Sequence, residues 1–86
     1  MGVSVGCSVK IDFKKLKENL HHELNDIEDI YTERERQLIQ SEENVFEVIK
    51  QEDFDGRYYR LSHEGNEISN SFYESELIVV EESANG

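Results

Sequence analysis

The stretch from Asn44 to Glu82 reads NVFEVIKQEDFDGRYYRLSHEGNEISNSFYESELIVVEE and holds three apolar runs separated by two turn signals. The first signal is Asp55-Gly56, because an Asp-Gly dipeptide between two strand-like runs is typical of a β-hairpin. It predicts a strand over 45–51 and a returning strand over 57–63. Alternation along the second strand places Tyr59 and Leu61 toward the core, and Tyr58 and Arg60 toward solvent.

The chain after this hairpin continues the pattern of strands and turns. Glu64-Gly65-Asn66 predicts a second turn, and 67–72 a third strand. The segment 73–76 has the form of a single helical turn, and 77–80 predicts the last strand. We therefore expect a compact sheet, followed by a frayed tail over 83–86.

A strand and a helical segment precede the sheet. Residues 3–11 alternate apolar with small or polar residues, which predicts a strand with Val3, Val5, Cys7, Val9 and Ile11 on its inner face. Gly6 within it indicates a bulge or a close backbone approach. Asp12 is a good N-cap. The apolar residues that follow at spacings of three and four predict one helical stripe: Phe13, Leu16, Leu20, Leu24, Ile27 and Ile30 or Tyr31.

The extent of the helix is open at this level. A helix from Asp12 to Gln40 would be about 43 Å long at about 1.5 Å per residue, longer than a small sheet can cover. A break is expected, because Thr32-Glu33-Arg34-Glu35 has the form of a capping box, so that a second helix would run from Thr32 to near Ser41. The alternative is a strand over 36–40.

Composition limits the classes of function. The 86 residues carry a formal charge of −11, and the part from residue 42 onward contributes −9 of it, from three Lys or Arg and twelve Asp or Glu. The only basic cluster is Lys10, Lys14, Lys15 and Lys17. Binding of nucleic acid through its phosphates is disfavoured, because that binding needs basic groups on the contact face. An acidic surface either keeps a small protein soluble or steers a basic partner.

The single cysteine, Cys7, excludes an intramolecular disulfide and favours a reducing compartment. The first residues lack a basic segment and a sustained apolar run, and no apolar run approaches the length needed to cross a bilayer. We expect one domain over 1–82, cytoplasmic in location, or in the host cytoplasm if the protein is viral. A chain of this length buries only a small core, which disfavours a buried, ligand-sized active-site cavity.

The order of these elements resembles the small SH3-like β-barrel proteins of bacteria and phages. The matching segments are Val5-Gly6-Cys7-Ser8-Val9, Gly56-Arg57-Tyr58-Tyr59-Arg60-Leu61 and 72–80, which reads FYESELIVV. The resemblance implies an α+β fold, with about five antiparallel strands in a small barrel and the amphipathic helical segment 12–41 inserted after the first strand. It implies a protein that binds a partner and catalyses no reaction, since the family includes nucleic-acid binders and protein adaptors.

No residue pattern indicates catalysis, a cofactor or a metal site. His21 and His22 are adjacent, so on a helix they diverge by about 100° and cannot share one ion. Carboxylates are abundant, but acid and base catalysis needs a cleft that shifts their pKa values. We therefore expect a non-enzymatic protein without cofactors.

A recognition surface remains. Aromatic anchors are expected at Phe54, Tyr58 and Tyr73, and the acidic residues would imitate a nucleic-acid backbone. The candidate partner-binding residues are Glu18, Glu23, Asp26, Asp29, Glu52, Asp53, Asp55, Tyr58 and Arg60. We expect a phage or mobile-element inhibitor or adaptor that engages a basic protein surface, such as that of a nucleic-acid-binding enzyme. The alternative is an assembly subunit that docks through its helix stripe, including as a homo-oligomer.

Overall fold

The fold is mixed α+β, with three helices and an antiparallel sheet. The computed structural model describes residues 2–53 and 55–80. Its strands are β1 (Ser8–Ile11), β2 (Phe46–Asp53), β3 (Arg57–His63), β4 (Asn66–Glu67), β5 (Phe72–Tyr73) and β6 (Leu77–Val79). Its helices are α1 (Phe13–His22), α2 (Ile27–Ile30) and α3 (Glu33–Gln40), and a 3-10 turn spans Glu74–Glu76.

The sheet has the strand order β4-β3-β2-β1-β6. β5 pairs directly with Tyr58 and Tyr59 of β3, whereas β4 pairs with Ser62 and His63. The predicted hairpin is confirmed: β2 and β3 pair from Glu47↔Ser62 to Asp53↔Arg57, with one register shift between Val48 and Lys50. β1 lies between β2 and β6. No pairing among residues 2–53 and 55–80 joins β6 to β4 or β5, so the described sheet is open rather than a closed barrel.

The first strand is shorter than the alternation predicts, because the chain turns at Val5-Gly6. The Cys7 N–H donates to the Ser4 carbonyl at 3.0 Å, and Gly6 has φ +94°, which a residue without Cβ adopts at little cost. The prediction that Val5 faces the core is wrong, since the turn leaves it exposed. The expected close backbone approach at Gly6 is present, because its N–H donates to the Val48 carbonyl at 2.8 Å.

Helix α1 begins as expected and ends early. The side chain of Asp12 accepts from the Lys15 N–H at 3.1 Å. The helix closes with a Schellman motif, in which the Leu24 N–H donates to His21 and the Asn25 N–H to Leu20. Leu24 is in the left-handed region at φ +62° and is 92 % exposed. Its predicted place on the buried stripe is therefore wrong.

The helical segment contains three helices instead of one or two, because non-helical stretches at 23–26 and 31–32 separate them. The capping box at the start of α3 is confirmed: the Glu35 N–H donates to Thr32 Oγ1 at 3.2 Å, and the Thr32 N–H donates to Glu35 Oε1 at 3.0 Å. α3 ends at Gln40, so the alternative of a strand over 36–40 is wrong.

The predicted strand over 67–72 is interrupted, since its middle residues bind other parts of the molecule. Ser69 donates from its N–H and its hydroxyl to Glu35, both at 2.9 Å. The Asn70 amide donates to the Ile30 carbonyl, and the Ser71 hydroxyl to Glu52, again at 2.9 Å. Residues 69–71 therefore do not pair as a strand, and their polar side chains link this segment to the helical segment and to β2.

One core lies between the sheet and the helices. Its fully buried members include Val9, Ile39, Phe46, Val48, Tyr59, Leu61 and Phe72. Tyr59 and Leu61 face inward as predicted, and Leu16 and Leu20 supply the contribution of α1. The predictions made for Phe54 and for the tail over 83–86 lie outside the described residues.

Candidate functional site

An open groove of about 620 Å³ lies where the helical segment meets the sheet. It is lined by Leu16, Leu20, Glu23, Asn25, Ile30, Tyr31, Glu52, Asp53, Tyr58, Arg60, Asn70, Ser71, Tyr73 and Glu76. A small core did not predict a space of this size. It lies between the end of α1, where the chain turns away after His22, and strands β3 and β5.

Glu76 is the buried carboxylate of this groove. It lies at the end of the 3-10 turn and is only 3 % exposed. Its Oε2 accepts from the Asn19 side chain of α1 at 2.7 Å, and its Oε1 accepts from the Tyr73 N–H at 3.0 Å. Burial raises the pKa of Glu76, and the two hydrogen bonds partly oppose that rise. The charge of nearby Glu23 adds to the rise, and the charge of Lys15 opposes it.

Glu23 stands beside Glu76 and is linked to it through Tyr73. The Tyr73 hydroxyl donates to Glu23 Oε2 at 3.1 Å, while the backbone of the same tyrosine binds Glu76. The rings of Tyr58 and Tyr73 lie 5.0 Å apart at 42°. Hydrogen bonding with Tyr58 and Glu23 raises the pKa of Tyr73. Tyr73 therefore holds one carboxylate at each of its ends.

Tyr31 lines the same groove from the helical side. It is 4 % exposed, and its ring stacks on Phe72 with 5.9 Å between centroids. Burial raises the pKa of Tyr31, and the charges of Glu76 and Glu35 raise it further. Within residues 2–53 and 55–80, no group forms a hydrogen bond with the Tyr31 hydroxyl.

The opposite wall belongs to β2 and β3, and its charged groups already have partners. Glu52 accepts from Ser71 and lies 3.6 Å from the Lys50 ammonium. Asp53 pairs with Arg57 at 3.3 Å. Arg60 forms a salt bridge with Glu67 and donates to the Ile68 carbonyl.

The nine predicted partner-binding residues do not form one surface. Glu23, Glu52, Asp53, Tyr58 and Arg60 line the groove together. Glu18 lines a second groove of about 940 Å³, which also contains Lys10, Lys14, Lys17, Phe13 and Ile78. Asp26, Asp29 and Asp55 are exposed and line neither groove. The acidic residues of the helical segment, Glu18, Glu23, Asp26 and Asp29, are therefore divided between different faces of the protein.

Sequence reasoning did not assign Glu76 and Tyr31 to a site. Tyr31 was read as part of the apolar stripe, although a hydroxyl at such a position needs a polar neighbour or an opening. Glu76 ends the 3-10 turn that precedes β6, and a charged residue in such a turn is expected to be exposed. Its backbone carbonyl accepts from the Asp12 N–H at 2.8 Å. That contact fixes the 3-10 turn against the start of α1.

Among residues 2–53 and 55–80, no group of three or more His, Cys, Asp or Glu side chains is arranged to hold a metal ion. The chemistry available in the groove is that of hydrogen-bond acceptors, negative charge and aromatic faces. Groups of these kinds suit a positively charged ligand.

Comparisons of the chain with protein-family models, with curated proteins and with solved structures found no match. None of the helices in the described part of the chain has the length and apolar character needed to cross a membrane.

Proposed function

We propose that this protein is a non-enzymatic binding protein whose groove engages a basic surface of another protein. The observation that carries the proposal is the pair of carboxylates, Glu23 and Glu76, held on Tyr73. Lys15 is near enough to lower the pKa of Glu76, but neither carboxylate forms a salt bridge among the described residues. The salt bridges among the described residues involve Glu52, Asp53 and Glu67 instead. A basic partner would supply the missing salt bridge.

The charge of the whole chain supports the same proposal. A net charge of −11 on 86 residues attracts a basic surface and raises its association rate at low salt. An inhibitor or adaptor of phage or mobile-element origin that acts on a nucleic-acid-binding enzyme in the cytoplasm fits this chemistry, because such enzymes carry basic surfaces that contact phosphates.

The alternative, an assembly subunit that docks through its helix, has less support. Leu16 and Leu20 of the expected docking stripe are buried in the core, and the stripe ends before the exposed Leu24. The helix therefore has no continuous apolar face left for a partner.

We also propose that the fold is a variant of the SH3-like barrel. The position of β1 between β2 and β6, and the 3-10 turn before the last strand, support the relation. Nuclear Overhauser contacts between the backbones of β5 and β6 would support a closed barrel in solution, and their absence would contradict it.

Charge reversal at matched positions tests the binding function. The double variant Glu23→Lys/Asp53→Lys reverses two charges in the groove. The double variant Asp26→Lys/Asp29→Lys reverses two charges outside it and serves as the control. The test is to capture proteins from a bacterial lysate with each variant at about 0.05 and 0.5 M salt, conditions that differ widely in screening. A partner held by wild type and by the control, but lost from the groove variant and at high salt, supports the proposal. Equal capture by both variants contradicts it.

A further inference from the structure

The groove contains two buried groups whose bonding capacity is not used by the protein. Glu76, 3 % exposed, accepts two hydrogen bonds but forms no salt bridge among the described residues. Tyr31, 4 % exposed, has a hydroxyl without a hydrogen-bond partner in the same part of the chain. Burial of the Glu76 carboxylate costs free energy, which the charge of Lys15 only partly offsets. The Tyr31 hydroxyl reaches the groove and has no protein partner there. A ligand that supplied positive charge and N–H donors would pair with both groups.

The shape of the site favours a planar cation. Glu23 and Glu76 are held at opposite ends of Tyr73, so a ligand that lies along Tyr73 can contact both carboxylates. The Tyr58 and Tyr73 rings form an aromatic wall beside them. A guanidinium has five donors in a fixed fork and stacks on aromatic rings, whereas an ammonium is a compact and strongly hydrated point charge.

We propose that the groove binds the guanidinium group of an arginine side chain between Glu23 and Glu76, with Tyr73 beside its plane and the Tyr31 hydroxyl accepting one of its N–H groups. This inference rests on the proposed function and specifies its ligand. The arginine belongs to the partner protein. The chain's own Arg60, which also lines the groove, is committed to Glu67 and to the Ile68 carbonyl.

The probes are N-acetyl-arginine methylamide and N-acetyl-lysine methylamide, which carry the same charge. Binding is followed by the backbone amide signals of ¹⁵N-labelled protein and by tyrosine fluorescence, which is usable because the chain has no Trp and Tyr31, Tyr58 and Tyr73 line the groove. The arginine probe should shift the signals of Tyr31, Tyr73 and Glu76. It should bind about tenfold more tightly than the lysine probe, the factor given by one additional charged hydrogen bond.

Three variants locate the site. Glu23→Gln should weaken the arginine probe about tenfold, and Tyr31→Phe should weaken it about threefold, while both leave the packing of the core in place. Glu18→Gln removes the same charge from the exposed face of α1 and should change the affinity by less than about twofold, because exposed charges outside the groove are screened.

Equal binding of the two probes at the groove would overturn the inference and leave the proposed function standing. The same holds if the arginine probe binds but Glu23→Gln and Glu18→Gln weaken it to the same extent. If neither probe shifts any groove signal, the inference fails, and the proposed function also loses the groove as its contact surface.

Discussion

Glu35→Ala removes the contact that ties α3 to the interrupted strand of the sheet. The Glu35 carboxylate accepts from the Thr32 N–H at 3.0 Å, and from the Ser69 N–H and hydroxyl at 2.9 Å each. Each bond in this partly exposed position contributes about 0.5–1 kcal/mol, so their loss should lower the free energy of unfolding by about 1.5–3 kcal/mol. For a domain of this size that corresponds to a fall in Tm of about 6–24 °C.

Urea denaturation and thermal melting followed by circular dichroism measure the change. The matched control is Glu33→Ala, which removes a carboxylate from the same helical turn, where Glu33 is exposed. Equal stabilities of the two variants, within about 0.5 kcal/mol, would refute the claim that Glu35 holds α3 to the sheet, since exposed substitutions change stability by no more than that.

The pH dependence of this difference provides a second check. Partial burial acts to raise the pKa of Glu35, but the hydrogen bonds from Thr32 and Ser69 outweigh it and lower the pKa. Stability from a group with a lowered folded pKa is present above its unfolded value, about 4.3, and is lost as the pH falls through the folded value. The gap between the Glu35→Ala and Glu33→Ala variants should therefore be constant near neutral pH and shrink in acid.

Three further changes test other parts of the fold. Burial raises the pKa of Glu76, so the stability that its proton provides is lost as the pH rises through the folded pKa. Glu76→Gln should stabilise the protein relative to wild type more at about pH 8 than at about pH 4 in urea titrations, and a difference independent of pH would contradict this. Leu24→Gly relieves a left-handed residue that buries almost nothing, so thermal melting should show a gain of about 0.5–1 kcal/mol, whereas a loss would show that Leu24 has a packing role. Ile39→Ala empties a fully buried position and should cost about 2–5 kcal/mol in the same assay, and a cost below about 1 kcal/mol would place Ile39 outside the core.

The hairpin was predictable because its signals are local. Asp55-Gly56 fixes the turn, and the alternation of Tyr59 and Leu61 fixes which face of β3 is buried. The Asp12 cap and the Thr32–Glu35 capping box were predictable for the same reason, since each needs only four consecutive residues.

The end of α1 was not predictable from periodicity, since Leu24 continues the apolar spacing and has no glycine beside it to mark a C-cap. The helix stops at a Schellman motif around Leu24, and the turn there lets the chain bring Tyr31 onto Phe72, a tertiary contact that the spacing does not encode. The spacing of apolar residues does not show which of them the sheet buries and which stay exposed.

The groove was only half predictable. Tyr58 and Arg60 were expected to face outward because they alternate with Tyr59 and Leu61, and they do line the groove. Glu76 could not be found in this way, because its burial depends on Asn19, a residue far away in the sequence. The acidic composition predicted the sign of the surface charge but not which carboxylates the fold brings together.

The position of β1 between β2 and β6 has a consequence for the folding kinetics. β1 pairs with β2, from which the whole helical segment separates it in the chain, and with β6, the last strand of the described chain. The hairpin of β2 and β3 is the most extensive pairing between strands that are adjacent in the chain, since β3 and β4 pair at only two positions. We therefore expect this hairpin to be the nucleus of the transition state. Destabilising substitutions in that hairpin should then slow refolding, while substitutions at the β1–β6 pair should mainly accelerate unfolding.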